Sequence, residues 1–158
     1  MKSPKRPLTI GSIAIVLVSF VDQSTKAWVV ANADVLSSGL PVFPGFNLVF
    51  GRNDGVSFGL LGGVPWWSLS ALAIAICAWL TILLIRTHSR IEALALGAII
   101  GGAMGNVIDR LRFRAVTDFL DFYIGSMHWP AFNMADVFVV CGVALLLAAP
   151  LLGRKVYA

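Results

Sequence analysis

Charge is what this chain has least of. Asp, Glu, Lys and Arg make up only 13% of its 158 residues, against 58% hydrophobic residues and a mean hydropathy of +0.86. So little polar surface cannot keep a domain of this size in water, which excludes a soluble globular protein. Histidine and cysteine are scarce too, with two of each. His88 and His128 stand alone, with no HExxH pattern, and leave a metalloprotease without ligands. Cys77 and Cys141 each lie inside an apolar run, without CxxC spacing or a nearby His, and read as packing residues. The Lys and Arg residues that give the net charge of +4 cluster beside apolar runs. No basic stripe interleaved with stacking aromatics is present, so nucleic acid is not an expected partner.

What is there is apolar sequence in span-sized pieces. A helix rises about 1.5 Å per residue, so roughly 20 residues cross a hydrocarbon core of about 30 Å. Four stretches qualify: Leu8 to Ala31, Trp66 to Ile85, Ala93 to Leu111 and Met134 to Leu152. They predict one integral membrane domain over residues 1–158, a bundle of four transmembrane helices. The first stretch imitates a signal peptide, with Lys2, Lys5 and Arg6 before it and Ala31-Asn32-Ala33 after it. It carries Asp22-Gln-Ser-Thr-Lys26 and is followed by three more spans, so a retained helix is expected.

Lys2, Lys5, Arg6, Arg86, Arg90, Arg154 and Lys155 share one side of such a bundle. The positive-inside rule then puts both termini in the cytoplasm, although Arg52, Arg110, Arg112 and Arg114 fall on the other side. The segments Asn32 to Pro65 and Arg112 to Asn133 become extracytoplasmic. In the first, Pro and Gly punctuate Val42-Phe43 and Phe46-Asn-Leu-Val-Phe50, which predicts a small β-hairpin or sheet. The second, with Phe119, Phe122, Tyr123, Met127 and Trp129, suits the headgroup level of a membrane.

Ionisable groups near membrane depth are costly and read as functional by default. Asp136 also has a structural reading, because Asn133 can cap the fourth helix and place Asp136 in its first turn. Asp118 lies in an apolar stretch without a neighbouring cation. Two carboxylates on one membrane face suggest a dyad sharing a proton, one member the base on water and the other the acid. Asp121 competes with Asp118, since a helical turn could present either.

Other groups read as support. Gly97, Gly101 and Gly105 recur every four residues, a stripe that can pack within one chain or between chains. Asn106, Asp109 and Arg110 follow, where the Asp and the Arg can neutralise each other and orient a site. Asp22 and Lys26 have ion-pair spacing, whereas Ser24 and Lys26 point to different helix faces and make a poor catalytic pair. Gly55-Val-Ser57-Phe-Gly59 matches the GxSxG elbow by letter, but this chain has no room for the α/β sheet that motif needs.

Five motifs stand together: Asp22-Gln-Ser-Thr-Lys26, Asn53-Asp-Gly55-Val-Ser-Phe58-Gly, Gly105-Asn106-Val-Ile-Asp109-Arg110, Val116-Thr-Asp118-Phe119 and Phe132-Asn133-Met-Ala135-Asp136. In order and spacing, over nearly the whole chain, they resemble the lipoprotein signal peptidase family, bacterial signal peptidase II. Met134, where many relatives have Leu, is a conservative departure. The resemblance implies a four-helix membrane aspartic peptidase with a small extracytoplasmic β-structure and a short interfacial helix flanking the site. It carries the catalytic pair onto Asp118 and Asp136, selecting Asp118 over Asp121 as the acid of the Val-x-Asp-Phe motif. Asp22, Lys26, Asn53, Gly55, Asn106, Asp109, Arg110, Asn133 and Ala135 match site-shaping or substrate-contacting positions.

The implied substrate is a prolipoprotein cleaved just before a diacylglyceryl-modified lipobox cysteine, in the bacterial inner membrane, with no metal or organic cofactor. Membrane lipids are the other expected partners, and the enzyme is expected to be monomeric. Two other classes remain to be weighed. A proton-coupled transporter or channel would use Asp22, Asp109, Asp118 and Asp136 as a relay, but calls for acids at mid-span and often repeated halves. A membrane scaffold would leave the paired acids a coincidence.

Overall fold

Backbone amides in hydrocarbon find no water, so long apolar runs close their hydrogen bonds internally as helices. The structure, a computed structural model, describes residues 5–55 and 65–152. Lys2, Ser57, Phe58, Gly59, Arg154 and Lys155 lie outside these described residues. The elements in chain order are α1 (Lys5–Ala31), α2 (Ala33–Leu36), β1 (Leu40–Phe43), β2 (Phe46–Asn53), α3 (Trp66–Arg86), α4 (Arg90–Phe113), β3 (Val116–Ile124), β4 (Met127–His128) and α5 (Met134–Leu152). α1, α3 and α4 are long and apolar enough to cross a membrane, and the apolar stretch of α5, Met134–Pro150, is shorter.

The four apolar stretches fall on the helices α1, α3, α4 and α5, with differences at the ends. α4 starts at Arg90 rather than Ala93, because the Ser89 hydroxyl accepts the Glu92 N–H at 3.3 Å. That serine and the glutamate three residues on form a start signal that apolarity alone passes over. At its other end α4 runs to Phe113 and stops at Arg114, which adopts the left-handed conformation (φ 58°).

α4 is the middle of the bundle, with α1, α3 and α5 packed on it. Its span is 56% buried, against 22% for α1 and for α3. The outward surfaces of α1 and α3, with Phe20, Trp28, Leu72 and Trp79 among them, stay apolar and exposed, as lipid-facing surfaces do. Cys77 is buried in the α3–α4 contact as expected, but Cys141 is exposed on α5 and fills no core position.

The glycine stripe packs within the chain. A Cβ on Gly97 would lie 2.5 Å from the Gly11 carbonyl oxygen, and one on Gly101 2.8 Å from that of Ile15. α1 can approach α4 this closely only because those side chains are missing. Gly101→Val should therefore force the helices apart and cost about 1–3 kcal/mol. Thermal unfolding in detergent micelles should show a fall of several degrees, with Leu147→Ala on the exposed face of α5 as the unshifted control. An unchanged midpoint for Gly101→Val would contradict this packing.

The expected hairpin is β1 and β2, joined at Pro44-Gly45, where Gly45 takes φ 95°. The sheet is larger than expected, an antiparallel set in the order β1-β2-β3-β4. β3 is the correction: residues 116–124 are a strand, not a helical turn at headgroup level. Phe119 is buried with Val29 and Leu36, where the sheet meets the end of α1, so the exposed aromatic edge is left to Phe122 and Trp129. Between Leu48 and Gly51 the β2 register slips against β3, with two β2 residues opposing Phe119 alone. That bulge sits one residue from Asp118, a place where bulges re-aim side chains. Among the described residues the one short helix is α2, a single turn packed against β2. It does not flank the cavity described next.

Candidate active site

Asp118 and Asp136 come from different parts of the fold, β3 of the sheet and the first turn of α5. They line one cavity of about 80 Å³ together with Asn53, Gly55, Asn106, Arg110 and Val116. A space of that size admits water. Asp121, in contest with Asp118 from sequence, faces elsewhere. Three residues along a strand reverses the side-chain direction, and Asp121 accepts from Asn47 Nδ2 at 3.0 Å and lies 2.9 Å from His128 Nδ1.

Both cavity carboxylates are held by amides. Asp118 accepts from Asn53 Nδ2 at 2.9 Å and from Asn133 Nδ2 at 2.7 Å. Asp136 accepts from Asn106 Nδ2 at 2.9 Å and from the Asn133 N–H at 3.1 Å, and returns its own N–H to Asn133 Oδ1 at 3.2 Å. The last two bonds are the reciprocal pattern of a capping box. The helix-start reading of Asp136 and its place at the cavity therefore hold together. Asn133, fully buried, binds both acids at once.

Burial pushes the Asp118 carboxyl up to about 6, against the pull of the Asn53 and Asn133 hydrogen bonds. The negative charge of Asp136 pushes the same way, and Lys26 opposes it. Like-charge repulsion from Asp136 is thus a lesser influence than burial and the two amide hydrogen bonds.

Behind the cavity lies a buried ionic group. Lys26 Nζ is 3.0 Å from Asp22 Oδ2, the expected pair, and 3.7 Å from Asp109 Oδ2. It also donates to Asn106 Oδ1 at 2.8 Å, which turns the amide so that its NH₂ faces Asp136. Asp22 in turn accepts the Ala135 N–H at 3.0 Å, tying α1 to the start of α5. The expected neutralisation of Asp109 by Arg110 is corrected here. Successive helical residues are about 100° apart; Asp109 turns to Lys26 and to the Thr117 N–H at 2.8 Å, and Arg110 turns to the cavity. There Arg110 Nη2 donates to the Gly55 carbonyl at 3.3 Å, and its buried Nε has no partner among the described residues. Ser24 is exposed while Lys26 is buried in its ion pairs, so the two do not form a dyad.

Three residues contribute in ways that their motifs alone do not assign. Gln23 Nε2 donates to Asp22, to the Gly105 carbonyl and to Asp109. Thr117, fully buried, accepts from Arg52 Nη1 at 2.8 Å. Gly105 does more than pack: a Cβ there would collide with the Asp22 carboxylate, so glycine makes the acid's seat. A glycine one residue before a polar cluster was the available signal. Among the described residues no group of three His, Cys, Asp or Glu side chains is placed to hold a metal.

Chemically the arrangement offers a water-sized cavity lined by two carboxylates, a guanidinium with a spare donor, and amides fixing each acid. Comparison with known proteins supplies the family. The family model described as signal peptidase (SPase) II matches residues 14–152. A lipoprotein signal peptidase of Beijerinckia indica is 42% identical over 146 residues, covering 89% of this chain and 87% of the relative. Another, from Anaplasma phagocytophilum, is 41% identical over 155 residues, covering 95% and 97%. A solved bacterial membrane enzyme structure at 2.3 Å resolution superposes with a TM-score of 0.79 at 29% identity, over 94% of this chain and 93% of that one. With its apolar helices, its small sheet and its match from end to end of the bundle, this chain belongs to the signal peptidase II family of membrane proteases.

Proposed function

We propose that this chain removes the signal peptide from prolipoproteins, cutting just before the diacylglyceryl-modified lipobox cysteine, with Asp118 and Asp136 as the catalytic dyad. The observation that carries this reading is the convergence of the two carboxylates on one water-sized cavity. One acid takes a proton from water as it attacks the scissile carbonyl. The other protonates the carbonyl oxygen; on collapse of the intermediate the first acid passes its proton to the leaving amine and the second recovers its own from the hydroxyl, so the pair ends the cycle with its single proton restored. Arg110, a cation beside the attacked carbonyl, offers its spare donor to the peptide. The substrate's acyl chains stay in the bilayer while its peptide reaches the sheet end of the bundle, which makes water attack effectively intramolecular.

The topology that goes with this has four spans in the bacterial inner membrane, both termini in the cytoplasm, the cavity toward the outer face and the enzyme acting as a monomer. The relay required of a transporter finds less support, since Asp22 and Asp109 are closed around Lys26 rather than strung along a path.

The test is cleavage by the purified protein in detergent. A diacylglyceryl prolipoprotein should be cut before its cysteine, the unmodified precursor cut poorly, and a chelator should change nothing. Ser57→Ala should retain activity. Loss of cleavage in that variant, or indifference to the diacylglyceryl group, would sink the proposal.

A pH dependence follows from Asp118. Its carboxyl keeps the shared proton up to about pH 6 and releases it above. The alkaline limb of kcat/KM should therefore have an apparent pKa near 6, falling about tenfold per unit beyond it. Asn53 hydrogen-bonds the ionised form, so Asn53→Ala should move this limb to higher pH. A limb that moves down, or stays fixed, would remove Asp118 as its origin.

A further inference from the structure

The back of the site carries a second concavity, on the opposite faces of the same two elements. On β3, Val116 and Asp118 line the catalytic cavity while Thr117 points the other way. On α4, Asn106 and Arg110 line the cavity, while Asp109, Arg112 and Phe113 line a groove of about 280 Å³ against Gln23, Lys26, Ala27, Val30 and Ala31 of α1. Its origin is legible in the glycine stripe. Continuing Gly97, Gly101 and Gly105 by fours gives Asp109 and Phe113, so the row that lets the helices touch ends in side chains that hold them apart.

The groove is apolar along its helix walls and cationic at its rim. Arg112 is exposed and only loosely tied, donating to Gln23 Oε1 at 3.4 Å. Arg52 reaches the same rim from β2, stacked over the Phe113 ring at 3.9 Å and donating to Thr117 Oγ1. The one acid of the lining, Asp109, is engaged by Lys26, Gln23 and the Thr117 N–H. Neither Arg52 nor Arg112 meets a carboxylate among the described residues. A helix C-terminus attracts a positive charge; Arg112 serves that need, but Arg52 comes from a strand and owes nothing to it. Both arginines also lie on the side of the bundle where the positive-inside rule disfavours them.

We propose that this groove binds an anionic phospholipid of the surrounding leaflet, its phosphate between Arg52 and Arg112 and one acyl chain along Ala27, Val30 and Phe113. Guanidinium matches phosphate by geometry as well as charge, and the groove walls offer an acyl chain a surface as apolar as its own. The site lies behind the dyad and does not depend on the proposed cleavage.

The experiment is lipid retention by the full-length purified protein, read by native mass spectrometry after exchange into micelles containing equal phosphatidylglycerol and phosphatidylcholine. Phosphatidylglycerol should be retained about tenfold better, and Arg52→Gln with Arg112→Gln should abolish the preference. Ala27→Trp fills the groove without touching its charge and should lower retention of both lipids. Arg86→Gln with Arg90→Gln, at the other end of the bundle, should leave retention as it was. Glycerol phosphate should compete poorly, since it lacks the chain. Equal retention of the two lipids, a preference surviving the rim double variant, an unaffected Ala27→Trp protein or effective competition by glycerol phosphate would each overturn the proposal.

Discussion

Asp118→Asn and Asp136→Asn should each lower prolipoprotein cleavage by about 10³-fold or more, the range expected when a general acid or base is removed. Asparagine keeps the shape of the side chain, so the comparison isolates the proton. A fold effect could imitate this loss, and stability separates the two. The folded pKa of Asp118, about 6, lies above its ordinary value of 3.8. An acid shifted in that direction costs nothing while both states are protonated. Its penalty grows between pH 4 and 6 and is complete above, at up to about 3 kcal/mol. Removing the charge should therefore leave Asp118→Asn at least as stable as the parent at neutral pH. The gain is partly offset, because one end of the new amide must face the donor NH₂ of Asn53 or Asn133. A loss of that size with an undiminished unfolding temperature is the expected pair of results; turnover within about tenfold of the parent in either variant would dissolve the dyad.

The second large effect belongs to a residue that need not touch substrate. Lys26→Met should destabilise the protein by about 3–5 kcal/mol, because it strands the buried carboxylates of Asp22 and Asp109 without their shared cation. It should also reduce cleavage in molecules that remain folded, since Asn106 loses the donor that aims its NH₂ at Asp136. Lys26→Arg should rescue poorly, its planar fork being unable to address three partners converging on one ammonium. Asp22→Asn added to Lys26→Met should recover part of the stability and little of the activity. Unfolding curves in detergent beside cleavage rates decide this, and a Lys26→Met protein with the parental midpoint would refute it.

Much of this arrangement can be read from the residues because local rules govern it. The four apolar helices follow from hydropathy, the β1–β2 hairpin from its Pro-Gly turn, the Asp22–Lys26 pair from i, i+4 spacing, and the Asn133–Asp136 box from three-residue separation. Each involves partners within a few positions of one another. β3 escaped because its polar residues, Thr117, Asp118 and Asp121, break the simple alternation of a half-buried strand, and the bulge in β2 opposite Phe119 breaks it again. The partner of Asp109 escaped for another reason. Helical spacing says which face a side chain leaves from, but only the seating of α1 on α4 decides that Lys26, 83 positions earlier, waits there.

The two acids ride on separate parts of the molecule, one on the sheet and one on the bundle, and Asn133 is the clasp between them. Asp22, from the first helix of the chain, closes on the backbone of Ala135, at the start of the last. A chain threaded into a bilayer helix by helix thus carries no assembled acid pair until α5 arrives. Under the proposed mechanism this connectivity acts as a timer, because a half-built protein holds only one of the two acids.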